Sequence, residues 1–336
     1  MSDITDVARR AGVSPATVSR VYNQPEIVSP GTRERVLSAA AELQYVPHAI
    51  ARGLATGRSG VVGLIVPDIT NPYFGHIARG CADVLNSRQI TVALYNSDEQ
   101  SSREHHMRLL VSQRQADGLI VASQAASISE TAEKLPEVGA PTVYVERRPD
   151  QPGIDAVLVD NRQAAKQAAE YLMALGHRRI ATITGLMNTI TGQDRFRGFV
   201  DRLAQAGIQT PDAYVVQADF KLEGAAAAAR KIMALVDPPT AVFVASDLMA
   251  YGAIGEFVAH GWRVPGDISV IGCEDLPFSQ YFVPTLTTIR VPIYDIGRRA
   301  AQLLMRRLQK PSRKPTIEVL GAELVARQST CRAGQQ

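Results

Sequence analysis

The chain has 336 residues, enough for two or three domains, and 46% hydrophobic content suffices for large cores. Its formal net charge of +3 is too mild by itself to imply a nucleic-acid binder. Cys81, Cys273 and Cys331 are odd in number, widely spaced and outside any CxxC pattern, which argues against a disulfide framework or a zinc site and fits a reducing cytoplasm. The polar N-terminus lacks a secretory signal, and the apolar runs are strand-sized, so no membrane segment is expected.

Residues 3–23, DITDVARRAGVSPATVSRVYN, read as helix, turn, helix. Ile4, Val7, Ala8 and Ala11 recur at helical spacing, Asp3 can cap the helix, and Asp6 adds negative charge to its first turn. Gly12 supplies the turn and Val13 drops into a small core. Ser14 is placed as N-cap of the second helix, with Pro15 at its first position. Val18 and Val21 face inward, leaving Pro15, Ala16, Thr17, Ser19, Arg20 and Asn23 on the outer face. Small, hydroxyl, amide and arginine side chains of this kind suit a DNA major groove. The same short pattern also fits an ordinary helical hairpin within a larger core. Ser29-Pro30 opens a third helix, with Val36, Leu37, Ala40 and Leu43 as its apolar stripe. Acidic and basic residues nearly balance before residue 60, so DNA affinity would rest on placed contacts and dimerisation more than on bulk charge.

From residue 61 apolar strands alternate with amphipathic helices. VVGLIV (61–66), a helix over about 73–87, TVALYN (91–96), a helix over 101–115, GLIVA (118–122) and PTVYVE (141–146) form a first half. A second half opens with AVLVD (156–160) and continues through a helix over 162–175, RRIATIT (178–184), a helix over 191–206 and YVVQA (214–218). An alanine-rich helix over 222–235, AVFVA (241–245), a helix over 247–260 and ISVIG (268–272) complete it. LTTIRVP (286–292), a helix over 293–309 and strands around 316–327 follow. This alternation indicates two α/β lobes built on parallel sheets covered on both faces. Such sheets bind ligands at the carboxyl ends of their strands. On that edge fall Asn71 to Phe74, Ser123, Glu146-Arg147, Asp160, Thr191, Arg195, Phe220, Ser246-Asp247 and Glu274. They combine aromatic platforms, hydroxyls, carboxylates and guanidinium, as a cleft for a hydroxyl-rich small molecule requires. Tyr73 and Phe74 could equally fill the core of a lobe, and Asp247 is expected only to cap its helix. Glu104-His105-His106 carries no metal expectation, because adjacent histidines on a helix point to different faces. GxGxxG, P-loop and GxSxG motifs are absent, so no enzyme activity, catalytic residue or cofactor is expected.

Three linked segments, DVARRAGVSPATVSRVYN, YVPHAIARGL and VVGLIVPDITNPYF, resemble the lactose-repressor (LacI-type) family of bacterial transcription regulators in order and spacing. The resemblance runs to about Thr330. It implies an all-α helix-turn-helix headpiece (1–46), a hinge helix or linker (47–58), and a two-lobed effector-binding and dimerisation domain of the periplasmic-binding-protein type I fold (59–330), with a tail at 331–336. The N-lobe would take about 59–158 plus 290–320, and the C-lobe about 159–289 plus 321–330. A homodimer would bind a pseudo-palindromic double-stranded operator in the cytoplasm, at the nucleoid. With no leucine heptad after Thr330, a tetramer is not expected.

In DNA the resemblance implies roles for Thr5, Ser14, Pro15, Ala16, Thr17, Ser19, Arg20 and Asn23. Pro15 and Ala16 occupy base-reading positions and offer only apolar contact, so Arg20 is the candidate for guanine. His48, Ala51 and Leu54 belong to the hinge, where Leu54 would wedge the minor groove. His48 and Gly53 replace the usual asparagine and serine, and glycine implies a hinge helix that folds only on DNA. The positions matching Phe74, Arg195, Phe220 and Glu274 contact the effector in the family. Gly272-Cys273-Glu274-Asp275 stands where GFDD or GYDD is usual, Glu146 replaces a common aspartate, and Ser246 a common asparagine. A pocket so reshaped points to a sugar or sugar acid as effector, with a purine corepressor as the alternative. The function implied is repression, with corepressor dependence or activation left open.

Overall fold

Asp3 begins the chain's first helix by a reciprocal cap. Its carboxylate accepts from the Thr5 and Asp6 amides at 2.8 and 2.9 Å, and Asp6 returns a bond to the Asp3 amide. This helix, α1 (Ile4–Ala11), ends at Gly12, whose φ of 67° closes it in the left-handed region. Ser14 caps α2 (Pro15–Asn23) by accepting from the Thr17 amide at 3.2 Å. After a short turn at Pro25–Ile27, α3 (Pro30–Glu42) lies against α1. Val7, Ala8, Ala11, Val18, Val21, Val36, Ala39 and Ala40 form the core of this bundle. Leu37, read from the sequence as part of the stripe on α3, is 41% exposed. One residue on from Val36 is turned by about 100°, so Ala39 takes the inward position at helical spacing.

The structure, a computed structural model, describes residues 2–45, 58–98, 100, 102–103, 113, 115–122, 141–146 and 153–334. It divides into two units, Met1–Ser59 and Gly60–Gln336. Among the described residues no helix is long and apolar enough to cross a membrane. The hinge segment and most of the helix expected over 101–115 lie outside them.

Among the described residues the second unit holds two six-stranded sheets. The first contains β1 (Val61–Val66), β2 (Thr91–Asn96), β3 (Gly118–Val121), β4 (Thr142–Val145), β5 (Asp155–Val159) and β11 (Ile317–Leu320), in the order β11-β5-β4-β3-β1-β2. All its pairings are parallel. The second contains β6 (Ile180–Thr184), β7 (Val215–Gln217), β8 (Ala241–Val244), β9 (Ser269–Glu274), β10 (Thr287–Arg290) and β12 (Glu323–Val325), in the order β12-β10-β9-β8-β6-β7.

Two features depart from what strand–helix alternation alone suggests. The strand read as opening the second half, β5, pairs with β4 in the first sheet. Strand β12 runs antiparallel to β10 in an otherwise parallel sheet. The chain leaves β11 at the carboxyl edge of the first sheet and reaches β12 two residues later. It therefore enters the second sheet from the edge where the other strands end, and must run against them.

Helix α4 (Pro72–Asn86) follows β1, and α5 (Asn161–Ala174) follows β5 and packs on the second sheet. Helices α6 (Ile190–Gln205), α7 (Leu222–Met233) and α8 (Asp247–Ala259) link the strands of that sheet. Helix α9 (Ile293–Gln309) follows β10 yet packs on β3, β4 and β5 of the first. The chain thus crosses between lobes after β5, after β10 and after β11. Two glycines allow α4 and α9 to touch backbone to backbone. A Cβ on Gly80 would stand 2.2 Å from the Tyr294 carbonyl oxygen, and one on Gly297 would stand 2.0 Å from that of Ile77.

Candidate functional sites

Strand ends from both lobes converge on a cavity of about 500 Å³, within the range of small-molecule sites. Tyr73 and Phe74 reach it from the first turn of α4, where Asn71 caps the helix by accepting from the Tyr73 amide at 3.0 Å. Glu146 follows β4, Thr191 and Arg195 lie on α6, Phe220 follows β7, and Glu274 ends β9. Asp98, Glu146, Phe220 and Glu274 take positive φ values of 48°, 63°, 62° and 130°. Backbone in this region is disfavoured for side-chain-bearing residues, and its concentration here marks a site the surrounding fold holds in place. Phe220 fits because Gly185 lacks a Cβ: one built there would lie 2.0 Å from the phenyl Cζ.

Arg195 is 1% exposed. Its Nε donates to Asn161 Oδ1 at 2.8 Å, and its Nη1 donates to the Ala245 carbonyl at 2.5 Å and to Glu274 Oε1 at 3.3 Å. Burial alone would lower the pKa of this guanidinium, but the acidic groups around it, Cys273, Glu274, Glu146 and Tyr73, outweigh burial and keep it charged. Burial drives Glu274 up to about 8, although Arg195 acts to keep it ionised. Glu146 is raised for the same reason, with Arg195 and the Tyr73 hydroxyl opposing. The Tyr73 hydroxyl donates to Glu146 Oε1, and burial followed by the Glu146 charge raises the phenol further.

Of the other residues read as effector contacts, Asp160 and Ser246 lie outside this lining. Both serve as helix N-caps. Asp160 accepts from the Gln163 amide at 2.9 Å, and Ser246, fully buried, accepts from the Met249 amide at 3.2 Å. Ser123 and Arg147 fall outside the described residues. Asp247 is expected to cap its helix, but Ser246 holds that position and Asp247 is turned to another task. Its buried carboxylate accepts from the Leu276 amide and from the Ser279 and Thr288 hydroxyls at 2.9, 2.8 and 2.5 Å. Burial pushes it up to about 6 against those three donors, and Gly272 makes room, since a Cβ there would lie 2.3 Å from Asp247 Oδ1. The knot fixes the loop that follows Glu274. Next in that loop, Asp275 accepts from Arg290 and Arg327, both at 2.7 Å.

The sequence reading missed Asp68, Thr70, Asp98, Leu186, Asp219 and Lys221, which also line the cavity. Each lies in the residues just after a strand, so extending every strand by a few positions would have found them.

In the first unit, Thr5, Ser14, Pro15, Ala16, Arg20 and Asn23 are exposed, while Thr17 and Ser19 are half-buried. The half-buried pair is engaged locally: Ser14 and Thr17 hydroxyls lie 3.0 Å apart, and Asn23 Nδ2 donates to Ser19 Oγ at 3.1 Å. Arg9 pairs with Asp6, and Arg10 pairs with Glu42 at 2.7 Å. Arg20 has no carboxylate partner among the described residues and is available to an outside acceptor. His48, Ala51 and Leu54 lie outside the described residues.

Residues 3–48 match the model for bacterial regulatory proteins of the lacI family, and residues 169–330 match that for a periplasmic binding protein-like domain. The chain is 35% identical to catabolite control protein A of Priestia megaterium, across 97% of this chain and 98% of that protein. A lac repressor dimer solved with operator and an anti-inducer superposes with a TM-score of 0.86 at 27% identity, covering 98% of this chain and 99% of the other. The complex of the regulator CelR with cellobiose gives 0.74 at 31% identity, over 98% and 100%.

Proposed function

The chain belongs to the lacI family of bacterial regulatory proteins, and we propose that it is a sequence-specific repressor whose grip on its operator is set by a small molecule bound between its lobes. The observation that carries this reading is one chain holding two kinds of site. A capped helix-turn-helix presents an Arg20 with no carboxylate partner among the described residues, and a second unit gathers buried polar and aromatic groups from both lobes at strand ends. The chain acts as a homodimer in the cytoplasm, with one recognition helix for each half of a pseudo-palindromic site. Arg20 reads a guanine, and Pro15 and Ala16 supply apolar contact. His48, Ala51 and Leu54 complete the DNA contacts at the operator centre.

The effector is a hydroxyl-rich molecule such as a sugar, in keeping with the cellobiose held by CelR. Phe74 and Phe220 cover its faces, and Arg195, Glu146, Thr191 and Glu274 meet its polar groups. Three chain crossings let the lobes change angle, and the effector shifts that equilibrium only by its differential affinity for the two arrangements. By linkage, operator and effector alter each other's affinity by the same factor. The test is selection from a random double-stranded DNA pool with full-length protein at stated salt, with and without a metabolite panel. Enrichment of a pseudo-palindrome that one ligand abolishes or intensifies is the expected result. No enrichment under any condition would sink the regulator reading.

A further inference from the structure

Among the described residues the cleft is short of positive charge. Glu146 and Glu274 are each 5% exposed and come from different lobes. Arg195 is the one buried cation lining the cavity among the described residues, and two of its three nitrogens already serve the protein. Nearer solvent, Asp68, Asp98 and Asp219 stand against Lys221, with Asp98 matched by Arg103 outside the lining. Glu274 Oε2 is buried and accepts no hydrogen bond. A buried carboxylate oxygen left without a donor is costly, so a ligand that takes Glu274 in its ionised form must supply donors here.

Building on the effector-cleft reading above, we propose that this cleft admits uncharged or cationic molecules bearing hydroxyl or amine donors and rejects anions, so that sugar acids and phosphorylated metabolites are excluded, with Glu274 as the selecting residue. A ligand O–H or N–H can satisfy Glu274 Oε2, and another can reach the Glu146 oxygen that Tyr73 leaves open. Arg195 Nη2 remains for a single ligand oxygen. A carboxylate or phosphate would instead add negative charge beside two buried acids and one committed guanidinium. It would also compete for an arginine that Asn161 and the Ala245 carbonyl hold in place.

The test is calorimetric titration of the full chain with matched probes: ribose and its phosphate ester, glucose with glucosamine and glucuronate, cellobiose and cellobionate, cytidine and its monophosphate. The expected result is that every binder is an uncharged or cationic probe, favoured over its anionic counterpart by about tenfold or more. Glu274→Gln narrows that ratio by at least about threefold while circular dichroism stays native, and Glu146→Gln serves if the first variant does not fold. An anion that binds as tightly as its uncharged counterpart overturns the proposal, as does a panel in which no uncharged or cationic probe binds. Operator affinity is followed in parallel. A ligand that obeys the charge preference but leaves operator binding unchanged supports the selection and counts against the effector reading alone.

Discussion

Arg195→Met tests the electrostatic design of the cleft most directly. It keeps most of the aliphatic stem and deletes a guanidinium that is 1% exposed. Three acceptors lose their donor at once: Asn161 Oδ1, the Ala245 carbonyl and Glu274 Oε1. Removing one member of a buried ion pair costs about 3–5 kcal/mol, and an unsatisfied buried acceptor about 1–3 kcal/mol. Glu274 limits the loss, because without the arginine nothing opposes burial and the carboxyl takes a proton. The expected destabilisation is therefore about 4 kcal/mol near neutral pH, well below the sum of the separate costs. A carboxyl whose folded pKa lies above its unfolded value costs stability as pH rises through that interval, so the deficit should be smaller at about pH 6 than at about pH 8.5. Urea unfolding followed by circular dichroism reads the shift as a lowered midpoint at unchanged slope. Arg195→Met/Glu274→Gln should recover part of the loss, since the unpaired charge is gone. A deficit under about 1 kcal/mol, or a double variant no more stable than the single, would refute the account of Arg195 as the cleft's buried counter-charge.

Four further outcomes follow from the same structure. Arg20→Ala should relax base preference at one operator position and cost about 1–3 kcal/mol there, read by competition with single-base operator variants; an unchanged preference removes Arg20 from base reading. Glu274, which faces Arg195, Asp247 and Glu146, is held up to about 8 by burial, so a ligand that donates to its ionised form should bind more tightly as pH rises toward that value. Binding should release protons, measured by calorimetry in buffers of different ionisation enthalpy; proton uptake contradicts the assignment. Gly297→Ala should destabilise the second unit by about 1–3 kcal/mol through overpacking, because its Cβ would lie 2.0 Å from the Ile77 carbonyl oxygen. Gly255→Ala on α8 has open space around it and should stabilise by about 0.5–1 kcal/mol. Thermal unfolding of the two variants in opposite directions checks both.

Local chemistry made much of this protein legible in one dimension. The caps at Asp3 and Ser14, the left-handed stop at Gly12 and the inward spacing of Val7, Ala8, Ala11, Val18 and Val21 depend on neighbours a few residues away. The buried strands announce themselves as apolar runs, and the family resemblance carried the two-lobed architecture that alternation alone suggests. Leu37 was misplaced because an apolar residue beside a stripe looks like part of it until the helix is packed.

Tertiary structure decided which strand-end residues meet. Asp155–Val159 joins the first sheet and β12 runs antiparallel because the chain crosses between lobes three times, and no local pattern encodes a crossing. Asp160 and Ser246 sit on the expected edge yet turn to cap helices, while Asp98 and Asp219 in neighbouring loops reach the cavity. Asp247 binds groups 29 to 41 residues away in sequence and so anchors a loop whose need for an anchor the sequence does not display. The charge balance of the cleft belongs to this second class. Glu146, Arg195 and Glu274 are separate in the chain, and burial from two lobes turns three ordinary ionisable groups into one site with a single buried cation among the described residues.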